Sequence, residues 1–170
     1  LICLFFFANG IPAIQKIGFF EFLGGVKWKP GNDVYGIFPM ILGSVYVTAL
    51  SIAIGVPIGI LCAVFLSRFC NSTVYRIFKP LIRLLSGIPS VVYGFFGLMV
   101  IVPFVRNNFL GRGTSMLSAA IVLGIMIFPT VITLSEDAIR AVPNSYYEGS
   151  LALGATHERS VFFTVIPAAK

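Results

Sequence analysis

Three stretches of this chain contain no aspartate, glutamate, lysine or arginine: Val34–Ser67 (34 residues), Leu84–Val105 (22) and Gly113–Ser135 (23). A helix rising ~1.5 Å per residue needs roughly 20 apolar residues to cross a hydrocarbon core of about 30 Å. Each run is long enough, and the first has a lead-in to spare. Composition agrees, with 58% hydrophobic residues, 17 Phe and only 11% charged residues. A soluble domain has too much surface to cover for that balance. The expected fold class is an all-α polytopic membrane protein.

Spans are expected at roughly 38–66, 84–104 and 117–135, with another beginning near 160 and loops at 67–83, 105–116 and 136–159. Leu1–Ala8 reads as half a span and lacks the basic flank of a signal peptide. Ser160–Lys170 enters a further apolar stretch, so residues 1–170 read as part of one transmembrane domain, cut inside a span at both ends. The net charge of +6 falls at span edges, where it sets orientation or meets lipid head groups, and no aromatic-basic interleaving points to nucleic acid. The 67–83 loop carries Arg68, Arg76, Lys79 and Arg83, and the 136–159 loop carries Arg140 and Arg159. Lys16, Lys27, Lys29, Arg106 and Arg112 lie on the other side. The density of positive charge in 67–83 favours that side as cytoplasmic.

Several classes are disfavoured. No ionisable residue falls within the three expected spans, which counts against proton-driven transporters, pumps and intramembrane proteases. There is no G-x-x-x-x-G-K-[ST], H-E-x-x-H or G-x-S-x-G, so no catalytic residue is assigned and any energy must come from a partner. Cys3, Cys62, Cys70 and the single His157 do not cluster, which leaves no metal or cofactor to assign and makes the cysteines buried filler. The acid pair Glu136-Asp137 is expected to face cytoplasmic water or to pair with Arg140.

Local patterns add detail. Asn71-Ser72-Thr73 offers caps for a helix with Arg76, Lys79 and Arg83 on one face and Ile77, Phe78, Leu81 and Leu84 on the others, as in an interfacial helix. Gly55-x-x-x-Gly59 and Ala120-x-x-x-Gly124 let helix backbones approach closely. Pro57, Pro89, Pro103 and Pro129 should kink helices or mark their ends.

The most unusual stretch is YYEGSLALGATHERSVFFTVIP at 146–167. Ser145-x-x-Glu148 fits a capping box opening a helix that runs to about Leu153. Gly154 is the natural stop. Thr156 can cap a second helix that passes Arg159 and breaks at Pro167. Two helices with a glycine elbow read either as a docking element for another protein or as a re-entry turn.

Glu148, Gly154 and Ile166-Pro167 keep the spacing of the "EAA…G…I-x-LP" loop, and the chain here resembles bacterial ABC importer permeases. Gly149 and Ser150 stand where that pattern has two alanines, Thr164 where it has isoleucine and Ile166 where it has leucine. Gly87–Gly97 (GIPSVVYGFFG) is similar to the IPS-x-VYG-x-x-GL stretch of phosphate-importer permeases, and Asn32–Gly36 with Ile14–Gly18 resembles the first outer segment of their PstC-type subunit.

The resemblance implies a MetI-like permease fold, of which this chain would cover four to five transmembrane helices, in a bacterial cell membrane. The implied partners are a second, PstA-type permease subunit, a dimer of cytoplasmic ATP-binding subunits and an extracytoplasmic phosphate-binding protein. It also implies that residues 136–160 form a cytoplasmic coupling loop, with the ATPase contact at Tyr147, Glu148, Gly149, Ser150, Leu151, Ala152, Gly154, Ala155 and Thr156. Glu148 would be the cap of its own helix or also a partner contact. Ser86, Ser90 and Tyr93 would present hydroxyls to a translocation cavity, or else pack and cap backbone. Arg106, Asn107, Asn108 and Arg112 read as an anion-attracting outer loop or a merely solvated one. Alternatives are a permease for phosphonate, sulfate or molybdate, a membrane enzyme with its catalytic residues elsewhere, and a purely structural subunit.

Overall fold

The computed structural model describes residues 1–108 and 115–169, which fall into two compact units, Leu1–Val47 and Thr48–Lys170. In the first unit, α1 (Ile2–Ile17) runs past the expected end of the partial span and keeps Pro12 inside it. After α2 (Phe19–Gly24), strands β1 (Trp28–Lys29) and β2 (Val34–Tyr35) form a small antiparallel hairpin with Trp28 opposite Tyr35. The apolar stretch after Ile17 thus forms a short helix, and Phe22 and Gly25 carbonyls accept the amides of Ile37 (3.0 Å) and Phe38 (3.3 Å). Those bonds set the chain's entry into α3 (Phe38–Val64).

Among the described residues, three helical stretches are long and apolar enough to cross a membrane: Phe38–Phe69, Ser90–Asn108 and Met116–Ala141. The first is α3 continued by a π turn, Phe65–Phe69. The second comprises α5 (Ser90–Phe96), a π turn (Gly97–Ile101) and α6 (Val102–Asn108); the third is α7 (Met116–Ala141). Between the first two lies α4 (Ser72–Ser86), capped by Asn71, whose side chain accepts the Val74 amide at 2.8 Å. The second stretch starts at Ser90 rather than 84, because Gly87 closes α4 and Pro89 takes the N-cap of α5. After α7 come α8 (Asn144–Ala152), α9 (His157–Ser160), a π turn (Val161–Val165) and α10 (Ile166–Ala168).

Pro103 does not break its helix, which runs on to Asn108, and Pro167 sits inside a helical stretch that stops one residue later, at Ala168. In both cases the residue before the proline closes a π turn: Val102 N–H donates to Gly97, and Ile166 N–H to Val161. A proline ring strikes the carbonyl four residues back and offers no N–H. The extra residue of a π turn widens the helix at that point, which accommodates the ring and lets α6 continue past Pro103.

The small-residue pairs bring two helices close together. Ser51, Gly55, Gly59 and Ala63 form a buried stripe on α3. Ser51 Oγ donates to Ala120 O at 3.1 Å, and a Cβ at Gly55 would lie 3.0 Å from Gly124 O. At Gly59 it would lie 2.7 Å from Val131 Cγ1. A side chain larger than hydrogen would press on these neighbours, so α3 and α7 pack closely along this stripe. Toward the end of these helices the core gathers Leu66, Ile82, Ile132, Ile139, Val142, Val161 and Val165. Of the cysteines read as buried filler, Cys3 is exposed, whereas Cys62 and Cys70 are half-buried and pack against this core.

Candidate functional site

The region after α7 folds into two helices joined by a glycine elbow. α8 starts two residues before the sequence pattern suggests: Pro143, with φ −57° and ψ 139°, occupies the N-cap, and no side chain caps the helix. The Ser145–Glu148 capping box therefore does not form, because Ser145 already lies inside the first turn. Glu148 is exposed and does not act as a cap.

The stop at Gly154 follows expectation. Its φ is +85°, its amide donates to Leu151 O at 2.9 Å, and the Ala155 amide donates to Ser150 O at 3.2 Å. This pair of bonds is the Schellman arrangement, which satisfies the last carbonyls of a helix. Thr156 then caps α9, its Oγ1 accepting the Arg159 amide at 3.4 Å. The backbone amide and the Thr156 hydroxyl hold the Glu158 carboxyl below its ordinary range.

The elbow has two faces. Tyr146, Gly149, Ala152 and Leu153 are exposed, and Leu153 is 91% exposed at the tip. Tyr147 and Ser150, one turn apart, face inward. Tyr147 Oη shares a 2.7 Å hydrogen bond with His157 Nδ1, and the His157 ring stands edge-on to Phe69 at 4.7 Å. Arg68 lies over the Tyr147 ring at 5.9 Å and donates to Ile139 O at 3.3 Å. Thr164 Oγ1 donates to Ser150 Oγ at 3.3 Å. Two of the positions that depart from the EAA-type pattern therefore meet each other.

Behind the elbow, Glu136 is not at the water surface. Its side chain is 1% exposed and receives Tyr75 Oη (2.8 Å), Lys79 Nζ (2.6 Å) and Arg140 Nε (2.9 Å). The expected Arg140 pair is present, but Lys79 from α4 is the closer partner, so the cationic face of α4 is partly spent inside the protein. The Arg140 guanidinium also covers the Tyr75 ring at 4.4 Å. Burial, helped by the Glu136 carboxylate, raises the Tyr75 pKa above its ordinary value. The sequence pairs Glu136 with Arg140, as found, but gives no sign of Lys79 and Tyr75 as its further partners. Its available signals were the i,i+4 pairs Glu136–Arg140 and Tyr75–Lys79, which say nothing of each other.

The hydroxyls offered to a cavity are placed as follows. Ser86 Oγ donates to Ile82 O at 3.1 Å, and buried Tyr93 donates to Leu85 O at 2.8 Å, closing a carbonyl at the end of α4. Ser90 is exposed at the first turn of α5. Asn108 donates back to Phe104 O at 2.8 Å, while Arg112 lies outside the described residues.

Spanning helices packed through small residues, followed by a buttressed helical elbow outside them, define a multi-pass membrane protein with the ABC importer permease fold. Residues 55–170 match the family described as binding-protein-dependent transport system inner membrane component, and the chain belongs to that family. It is 42% identical over 167 residues to the probable ABC transporter permease protein YqgH of Bacillus subtilis, covering 96% of this chain and 52% of that one. It is 32% identical over 180 residues to the probable phosphate transport system permease protein PstC of Methanocaldococcus jannaschii, covering 92% and 56%. Against PstC of Mesorhizobium japonicum it is 32% identical over 181 residues, covering 95% and 55%. The chain thus spans about half the length of these relatives. Among solved structures, inward-facing MetNI methionine ABC transporter shares the fold with TM-score 0.58 at 22% identity, covering 79% of this chain and 61% of that one.

Proposed function

We propose that this chain belongs to the permease subunit of an ATP-driven phosphate importer in a bacterial cell membrane, and that Tyr147–Thr156 is its contact with a cytoplasmic ATPase. One observation carries the docking role. The elbow is rigid behind, through its Schellman stop, the Thr156 cap and the Tyr147–His157 bond, yet presents Tyr146 and Leu153 bare in front. A re-entry turn needs neither the rigidity nor the bare apolar tip, whereas a groove on another protein fits both. Closure of an ATPase pair against the elbow would tilt the helices behind it and switch the side to which the cavity opens. ATP hydrolysis is then the partner's work and this subunit is no enzyme. Phosphate as substrate rests on similarity to proteins named as PstC. The same reading brings a PstA-type second permease and an extracytoplasmic phosphate-binding protein as partners.

The test reconstitutes the full-length subunit with the second permease and the ATPase in proteoliposomes. ATP hydrolysis is followed with binding protein carrying phosphate, then with sulfate or phosphonate. Stimulation by phosphate alone is the expected result. Stimulation by another anion discards the substrate and keeps the docking role; failure of the ATPase to associate discards both.

A further inference from the structure

Glu136 is the largest fully buried side chain among the described residues, and nothing in the docking role proposed above uses it. It lies in the last turns of α7, and two of its three partners come from a different element. Tyr75 and Lys79 sit one turn apart on α4, and each addresses a different carboxylate oxygen: Tyr75 Oη on Oε1 at 2.8 Å, Lys79 Nζ on Oε2 at 2.6 Å. Arg140, from α7 itself, completes the set at 2.9 Å but remains half-exposed, while the Lys79 side chain is only 14% exposed. Three residues further along α7, the Ile139 carbonyl is held by Arg68 from the end of the first span.

Such a cluster adds little net stability over a well-packed apolar contact, yet removing one partner strands a buried charge. What it supplies instead is discreteness. Apolar surfaces can slide by fractions of an ångström at small cost, but a carboxylate held from two elements cannot leave its donors without being stranded. We infer that Glu136 is a positioning residue, held by Lys79 and Tyr75, that locks α4 to the end of α7 so that a displacement of the elbow moves both as one body. This rests on the docking role of the elbow, and the test separates the two.

The full-length subunit is studied in the assembled transporter, in proteoliposomes with phosphate-loaded binding protein. Three quantities are read: the amount of assembled complex, ATP hydrolysis, and phosphate taken up per ATP. Lys79→Met should assemble and hydrolyse ATP, while uptake per ATP falls by about tenfold. Lys79→Arg should keep most of the ratio. The charge-swapped pair Lys79→Glu with Glu136→Lys should regain a substantial part of what either single change loses. Hydrogen exchange gives a readout independent of transport: the α4 amides of Lys79→Met should exchange faster while α7 amides around Ala120–Gly124 do not. A wild-type ratio in Lys79→Met with unchanged α4 exchange overturns the inference. So does a variant in which uptake, hydrolysis and assembled complex all fall in the same proportion, since that marks a folding role alone. If the wild-type assembly shows no ATPase response to binding protein, the proposed function fails instead, while faster α4 exchange in Lys79→Met would still report the α4–α7 lock.

Discussion

Replacing Gly154 tests the elbow at its narrowest point. Its φ of +85° is a conformation that residues with a side chain adopt only at a cost, and a Cβ built there meets nothing within 4 Å. The penalty is therefore purely that of the backbone, about 1–2 kcal/mol for alanine in the left-handed region. Asparagine, whose short polar side chain tolerates that region, should lose less, and β-branched valine more. A cost of that size shifts the local equilibrium by a factor of roughly 5–30. Gly149 is the internal control. Its Cβ would also meet open space, but it sits inside α8, where alanine should gain about 0.5–1 kcal/mol.

The assay is hydrogen exchange at the amides of residues 154 and 155, which donate to Leu151 and Ser150, followed by phosphate uptake per ATP in the full-length subunit. Protection should fall in the order Asn, Ala, Val at position 154 and rise or hold for Gly149→Ala. Gly154→Val should insert and assemble yet uncouple hydrolysis from uptake. Wild-type protection and uptake in Gly154→Val would refute both the strain argument and the role of the elbow.

Three further outcomes follow from the packing. Gly59→Ala should destabilise the subunit by about 1–3 kcal/mol, because its Cβ lands 2.7 Å from Val131 Cγ1; a thermal melt should show rescue when Val131→Ala is added. Ser150→Ala and Thr164→Ile should each be destabilising, and together should cost less than their sum by about 0.5–1 kcal/mol, since the pair removes both ends of one hydrogen bond. The raised Tyr75 pKa means that the folded state keeps its phenol neutral after the unfolded chain begins to ionise near pH 10. Stability from this group is thus full below that pH and is lost as pH rises toward the folded pKa; Tyr75→Phe should flatten the alkaline limb of a stability–pH curve.

Where sequence reasoning went astray, a nearby element outcompeted the pattern it relied on. The Ser145–Glu148 box was a sound match, but Pro143 is already set for an N-cap by its ring and starts the helix earlier. Pro103 read as a kink or an end, and Pro167 as a break, because a local rule counts the lost hydrogen bond and not the π turn that precedes each ring. Glu136 read as an edge residue because its charge-free run ends just before it, whereas α7 continues to Ala141 and α4 folds back to cover it.

The features determined by sequence alone are those whose physics is local. Span length is counted along one helix against the bilayer. The Asn71 and Thr156 caps bond amides three residues away, and the Gly154 stop depends on one residue's φ. The tertiary structure alone decided which side chains would meet. Lys79 and Glu136 are 57 residues apart in the chain, and Ser51 and Ala120 are 69 apart. Contacts at that range depend on how the helices pack, and the small-residue stripes decide that packing only once both helices are in place.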